Sequence, residues 1–314
     1  MINTVRNTVL AIANKQNFGY ISPSDFNLYA KQAQLDLFEN YFYRYNEWIA
    51  KQNARISGSG YADIVKNLEE VIDTFSVEGG LFNLSNNTYK MPNEDNNDSA
   101  YYLLDKVLVY DNKIVSGSLT TLGSTVIEDS SANFISAGVS AGDIVATISD
   151  DVVYYRTILN VQSATALQLS SSLTLSSPFY AVYSNSFREA ERVSHSKINL
   201  LSRSNLTTPK LNTPAYTQSE LTVSLYPLTI DGVGQVKSQY IRKPKDPKWT
   251  YTSLSGGEPA FNQGAQDYQD FELPVSDEPR LISKILQYVG ISIRDSDIYS
   301  AGVNEEVKTI QKQG

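Results

Sequence analysis

The chain has 314 residues, a formal net charge of -8 and no cysteine. Disulfides, cysteine-ligated zinc, iron–sulfur clusters and a thiol nucleophile are thereby excluded. An acidic surface also argues against nucleic-acid binding, which needs clustered Lys and Arg, while it suits a wall past which DNA slides without sticking.

The length admits one large or two ordinary domains with a packed core. The start, Met1–Gln16, lacks the apolar core of a signal peptide. No apolar run approaches the roughly eighteen residues that span a bilayer, so a soluble protein used without export is expected.

A short amphipathic helix is predicted over Asn3–Lys15, broken at Asn17–Tyr20. A long helix over Ser22–Arg55 follows and is read as the element around which the chain is organised. Ser22 is its N-cap, Pro23 its first residue, and Asp25 completes a capping-box-like start. Some thirty residues make a rod of roughly 45 Å.

That rod carries two apolar stripes. One is Phe26, Tyr29, Ala33, Leu37, Tyr41, Tyr45 and Trp48; the other is Leu28, Leu35, Phe38, Phe42 and Ile49. A surface helix needs one stripe. Two suggest cover on two sides, by its own domain and by another subunit; a central core helix in a monomer is the alternative. A third helix is predicted over Tyr61–Phe75, ended by Gly79-Gly80, and the three pack as a bundle.

Beyond Leu81 the helical period is lost. Extended pieces are predicted around Phe82–Leu84, Thr88–Pro92 and Ala100–Asp111. From Ser116 to Tyr183 five short strands separated by turns describe a small antiparallel barrel or sandwich inserted into the first domain. A helix is expected over Ser186–Ser204. Leu221–Pro227 is a strand, Asp231–Gly234 a turn, and Gln235–Ile241 the returning partner strand. Arg242–Trp249 is basic and extended, read as an arm lying on a neighbouring subunit. Phe271–Pro274 is a short strand, Arg280–Val289 a helix, and Asp295–Glu306 a shorter one.

Candidate chemistry is thin. The single histidine, His195, sits beside Ser194 and Ser196 without a partner for base or ligand work, and is read as structural. No G-x-S-x-G elbow supports a Ser–His–Asp triad. Adjacent carboxylates at Glu69-Glu70, Asp150-Asp151 and Glu305-Glu306 cannot face each other across a cleft, as glycosidase acids must. Asn93–Asp98 is oxygen-rich but lacks the central Gly and closing Glu of a calcium loop. Asp231–Gly234 holds G-x-G without the third Gly or a following helix, so it is a turn and not a dinucleotide site. No catalytic, cofactor-binding or metal residue is assigned, and no cofactor is expected.

Three blocks carry a resemblance: GYISPSDFNLYAKQAQLDLFENYF (Gly19–Phe42), YIRKPKDPKW (Tyr240–Trp249) and FELPVSDEPRLISKILQYVGISIRD (Phe271–Asp295). Each is similar to virion structural proteins of crAss-like and related phages of Bacteroides-type bacteria. Val126–Thr147 and Ile158–Ser170 resemble small β-domains of phage head–tail connector and tail proteins. The resemblance implies a non-enzymatic ring subunit between portal and tail, closed on itself with a dodecamer favoured. Its partners would be the portal protein and neighbouring tail ring proteins. DNA would pass through the lumen without specific binding, no membrane is involved, and the location would be the virion, assembled in the host cytoplasm. A host-attachment or carbohydrate-binding tail module is the alternative, and a tail lysin ranks last.

The expected fold class is α+β: a helical bundle with a long central helix plus a β-sheet, with an inserted small antiparallel β-barrel or sandwich. The expected domains are 1–115, 116–184 and 185–314, the first and last being two parts of one main domain.

Overall fold

The computed structural model describes residues 1–13, 21–53, 63–92, 100–121, 125–173, 178–293, 300, 303, 304 and 307. The chain divides into two compact units, Met1–Phe75 with Pro244–Gly314, and Ser76–Lys243.

The first unit opens with α1 (Ile2–Ala13), whose Ile2, Val5, Val9 and Ala13 form one buried face at helical spacing. Next comes α2 (Pro23–Asn53), 31 residues long. Its start is capped reciprocally: the Asp25 N–H donates to Ser22 Oγ at 3.1 Å, and the Ser22 hydroxyl donates to the Asp25 carboxylate at 2.7 Å. Phe26, Ala30, Ala33, Leu37, Phe38 and Tyr41 bury a single stripe. α3 (Asp63–Asp73) packs against α2, and Phe75 just beyond it meets Phe38 edge-on at 5.0 Å.

The second unit is built of sheets. β1 (Ser76–Gly80), β4 (Tyr101–Tyr110), β11 (Phe187–Glu189) and β15 (Val236–Arg242) form one, in the order β1-β15-β4-β11. β2 (Phe82–Ser85), β3 (Thr88–Lys90), β12 (Glu191–Arg192), β13 (Ala215–Ser219) and β14 (Thr222–Tyr226) form a second, in the order β12-β13-β14-β3-β2. The two share a core that includes Leu81, Tyr89, Met91, Val107, Val109 and Leu225.

The third sheet takes β5 (Lys113–Ser118), β6 (Val126–Glu128), β7 (Ile144–Ser149), β8 (Val152–Val161), β9 (Ala166–Leu169) and β10 (Phe179–Tyr183) in the order β5-β10-β7-β8-β9-β6. Thr121, past the end of β5, bridges Glu128 at the end of β6, so the sheet closes on itself. A short helix, α4 (Phe134–Ala137), plugs it with Phe134. Inside, the buried Asp129 accepts bonds from Ser131 and from the Tyr180 hydroxyl, the latter at 2.8 Å. Burial alone would raise its pKa, but the bonds from Ser131 and Tyr180 outweigh that and hold the carboxyl below its usual range.

The third sheet is fastened to the first by tyrosines. Tyr110 of β4 stacks on Tyr183 of β10 at 5.3 Å and meets Tyr155 of β8 at 5.9 Å. The hydroxyls converge on one turn. Tyr183 donates to the Val233 carbonyl at 2.7 Å, and Tyr89 to Gly232 at 3.4 Å. Tyr155 shares its proton between Gly234 and Val236, 3.1 Å from each. Gln235 closes the turn by accepting from the Gly232 N–H at 2.9 Å. Gly234 sits at φ +63°, and a Cβ there would lie 2.4 Å from the Ala146 Cβ. Burial pushes the pKa values of Tyr89, Tyr155 and Tyr183 well above the ordinary tyrosine range.

Between β12 and β13 the second unit adds α5 (His195–Leu201), started by Ser194, whose Oγ accepts from the Lys197 N–H. At Pro244 the chain rejoins the first unit. Trp249 is its hub. The Arg6 guanidinium lies 3.8 Å from the indole centroid, and the indole N–H donates to Asn3 at 3.0 Å. The Asn27 side chain holds both the N–H and the carbonyl of Trp249. A hairpin of β16 (Tyr251–Ser253) and β17 (Pro259–Phe261) stacks Tyr251 and Phe261 on the same ring. A 3-10 turn at Val275–Asp277 then leads into α6 (Glu278–Ile293), which packs on α1 and α2.

The expected fold class does not hold. Among the described residues the chain carries seventeen strands in four sheets against six helices, and it is a β-rich protein, not a helical bundle around a long central helix. Most of the strands are five residues or fewer, too short for periodicity to register.

Four further expectations change with it. Residues 187–192 form β11 and β12, not the start of a helix, because β4 takes up the backbone groups of the first and β13 those of the second. β15 pairs with β1 and β4, not with β14, whose neighbours are β13 and β3. Gly79-Gly80 lies within β1, where a Cβ on Gly80 would come 2.6 Å from the Val153 Cβ. Phe271–Pro274 makes no strand, since side chains take its polar groups: Gln34 Oε1 accepts from the Glu272 N–H at 3.0 Å, and the Glu272 carboxylate accepts from Lys245 N–H at 2.8 Å. The helix expected over Asp295–Glu306 falls largely outside the described residues.

Gly234→Ala combines a left-handed backbone with a clash against β7, so chemical denaturation should show a loss on the order of 3 kcal/mol. The tyrosines titrate with the opposite sign to Asp129. Their raised folded pKa values keep their stabilisation intact below about pH 10, and it falls away as pH rises through the folded values. Tyr183→Phe should cost about 1 kcal/mol at neutral pH and make the alkaline loss shallower. An equally steep alkaline arm in that variant would refute the assignment.

Candidate functional site

The described residues offer surfaces more readily than a catalytic centre. The first surface is the second half of α2. Its N-terminal half buries a stripe, but from Phe42 to Ala50 no residue is buried. Phe42, Tyr45, Trp48 and Ile49 stay half-covered, and Tyr43 is 68% exposed. An open groove of about 400 Å³ runs beside it, lined by Asp36, Leu37, Glu39, Asn40 and Tyr43 of α2 and by Lys284 of α6. Glu39, Tyr43 and Glu47 follow one another four residues apart, hence on one helix face, and all three are exposed.

A buried polar knot ties α2 at Asn40 and Tyr41 to the start of α6. The Tyr41 hydroxyl and the Arg280 guanidinium both donate to the Asp277 carboxylate, Arg280 at 3.2 Å, and Arg280 also donates to Asn40 at 3.2 Å. Burial, and then the Asp277 charge, push the Tyr41 pKa far up. Arg44 is lowered by burial and by the neighbouring Arg280. Asp277 and Arg280 are both largely buried, so the pair is fixed and desolvated.

The second surface is the loop after α5. It is well bonded within itself: the Thr207 hydroxyl donates to the Leu201 carbonyl at 3.0 Å, and the Thr208 hydroxyl to Ser204 at 2.7 Å. Pro209 is buried at its end. This loop holds Leu206 at 91% exposure, and Leu200, on the last turn of α5, is 65% exposed. From Arg192 to Lys210 the chain has four basic residues and no acidic one, and all four are exposed.

The residues weighed for chemistry fall apart in space. His195 Nε2 lies 3.0 Å from the Ser219 hydroxyl at an exposed position. Glu69 and Glu70 are exposed on α3, and Asp150-Asp151 forms the tip of the β7–β8 hairpin with positive φ at both. Asn93–Asp98 and Glu305-Glu306 lie outside the described residues. Among the described residues no three His, Cys, Asp or Glu come together as a metal site.

The cleft between β1 and β8, about 170 Å³, holds Glu78 and Lys90, but Glu78 is paired to Lys237 at 2.5 Å. The basic run is not a free arm over its second half. Lys31 pairs with Asp246 at 2.5 Å, Gln34 donates to the Lys245 carbonyl at 2.7 Å, and Trp249 is buried in its own unit.

No match to a described protein family or to a curated protein was found for the chain.

Sequence reasoning missed Tyr43, which lies on neither apolar stripe, and Leu206, to which it gave no role. The run of bases without acids from Arg192 to Lys210 was the available signal for the second. Asp277→Ala should leave Arg280 buried without its carboxylate and cost about 3 kcal/mol, measured by urea or thermal unfolding. His195→Ala, at an exposed site, should stay within about 0.5 kcal/mol of wild type in the same assay.

Proposed function

We propose that the chain is a structural, non-enzymatic subunit of a phage portal-to-tail ring (connector, adaptor or tail-barrel ring) assembling around the DNA channel in the virion. The observation that carries this reading is the second half of α2, where five apolar or aromatic side chains between Phe42 and Ile49 remain unburied within one copy. Aromatic side chains are the usual anchors of protein–protein contacts. An apolar face on an ordered helix, flanked by acids, suits a neighbour of the same kind better than a small ligand.

The blocks that carry the sequence resemblance support it from another side. Parts of all three meet in the first unit, while residues 240–243 belong to the second: Asn27 with Trp249, Gln34 with Lys245 and Glu272, and Tyr41 with Asp277. A similarity spread over three distant stretches thus corresponds to one structural neighbourhood. Contacts of head-to-tail type that close generate rings, and a dodecamer is favoured, with the portal and adjoining ring proteins as neighbours.

Sedimentation velocity and negative-stain electron microscopy of the purified protein, and of particles carrying a tagged copy, test the proposal. Closed rings are expected. A strictly monomeric subunit within assembled particles would overturn it.

A further inference from the structure

Resting on the ring reading, we infer the contact that joins neighbouring copies: the Leu206 loop of one copy seats in the α2–α6 groove beside Tyr43 of the next. Three observations converge. Leu206 is 91% exposed, although its loop is held by hydrogen bonds through Thr207 and Thr208, so the exposure is built in. Isolated exposed leucines are common, but the same 192–210 segment also carries Leu200, 65% exposed on α5, and these two leucines are its apolar knob. The groove offers space of about 400 Å³ walled by Leu37 and Tyr43.

Charge selects the occupant. The protein carries a net -8, yet the stretch bearing the knob has four bases and no acid. The groove itself is lined by Asp36 and Glu39 against Lys284, and Glu47 lies one helical turn beyond Tyr43. A basic knob and an acidic, aromatic-walled groove on one chain are complementary between copies, and the contact is heterologous because the two patches differ.

The geometry makes a demand that a symmetric contact would not. Leu206→Asp spoils the knob and leaves the groove, while Tyr43→Asp spoils the groove and leaves the knob. Both side chains are exposed, so circular dichroism and melting temperature should match wild type. Each variant alone should be monomeric by native mass spectrometry, with self-affinity down about tenfold or more. Mixed in equal amounts, they should form a 1:1 dimer and nothing larger. Arg203→Glu should weaken assembly, and Glu39→Arg in the same chain should restore it.

Rings that form normally from Leu206→Asp, or variants that do not pair when mixed, would overturn the contact while leaving the ring reading standing. A wild-type chain that is monomeric both alone and in particles would overturn both.

Discussion

Three tyrosine hydroxyls closing on one turn are the constraint on which the second unit depends. The Gly232 and Val236 carbonyls accept the backbone N–H groups of Gln235 and Leu81, whereas those of Val233 and Gly234 take their bonds from side chains, and a buried acceptor left unpaired costs about as much as a lost hydrogen bond. Tyr183 and Tyr155 supply those donors, and Tyr89 adds a second bond to Gly232, from three different strands. Those strands belong to two different sheets, so satisfying the turn also fixes the closed sheet against its neighbour. The glycines follow from this crowding: side chains at Gly80, Gly232 or Gly234 would occupy space already held by Val153, Tyr183 or Ala146.

The first unit solves the opposite problem. Its helices have backbone bonds of their own, and what needs fixing is side-chain packing between distant stretches of chain. Trp249 does this with Arg6, Asn3 and Asn27, and Asp277 does it with Tyr41 and Arg280. Both are polar ties around an aromatic ring, which holds orientation as well as area. They stiffen the N-terminal half of α2 and leave its second half presenting aromatic surface.

Surface charge is distributed unevenly for a protein with so plain an acidic balance. The segment 192–210 that holds Leu206 carries bases and no acid, and Glu39 and Glu47 flank Tyr43 on α2. Such an arrangement favours association in one orientation and resists stacking of like patches. It is the physical content behind the proposed ring, and it requires no cofactor.

Local features were legible in the sequence. The Ser22 cap, the amphipathic character of α1 and the turn at Asp231–Gly234 all rest on interactions within a few residues, which spacing and residue type encode directly. The candidate surfaces were half-legible: excess apolar character on α2 could be read, but not which residues stay uncovered. Pairing was not legible. Alternation marks Val236–Arg242 as a strand but not whether β4 or β14 lies beside it, and nothing local separates the short strands at 187–192 from a helix start. The β-rich class and the convergence of three tyrosine hydroxyls were decided only in three dimensions, because a strand's partner and a buried hydroxyl's acceptor lie far along the chain from the residues that need them.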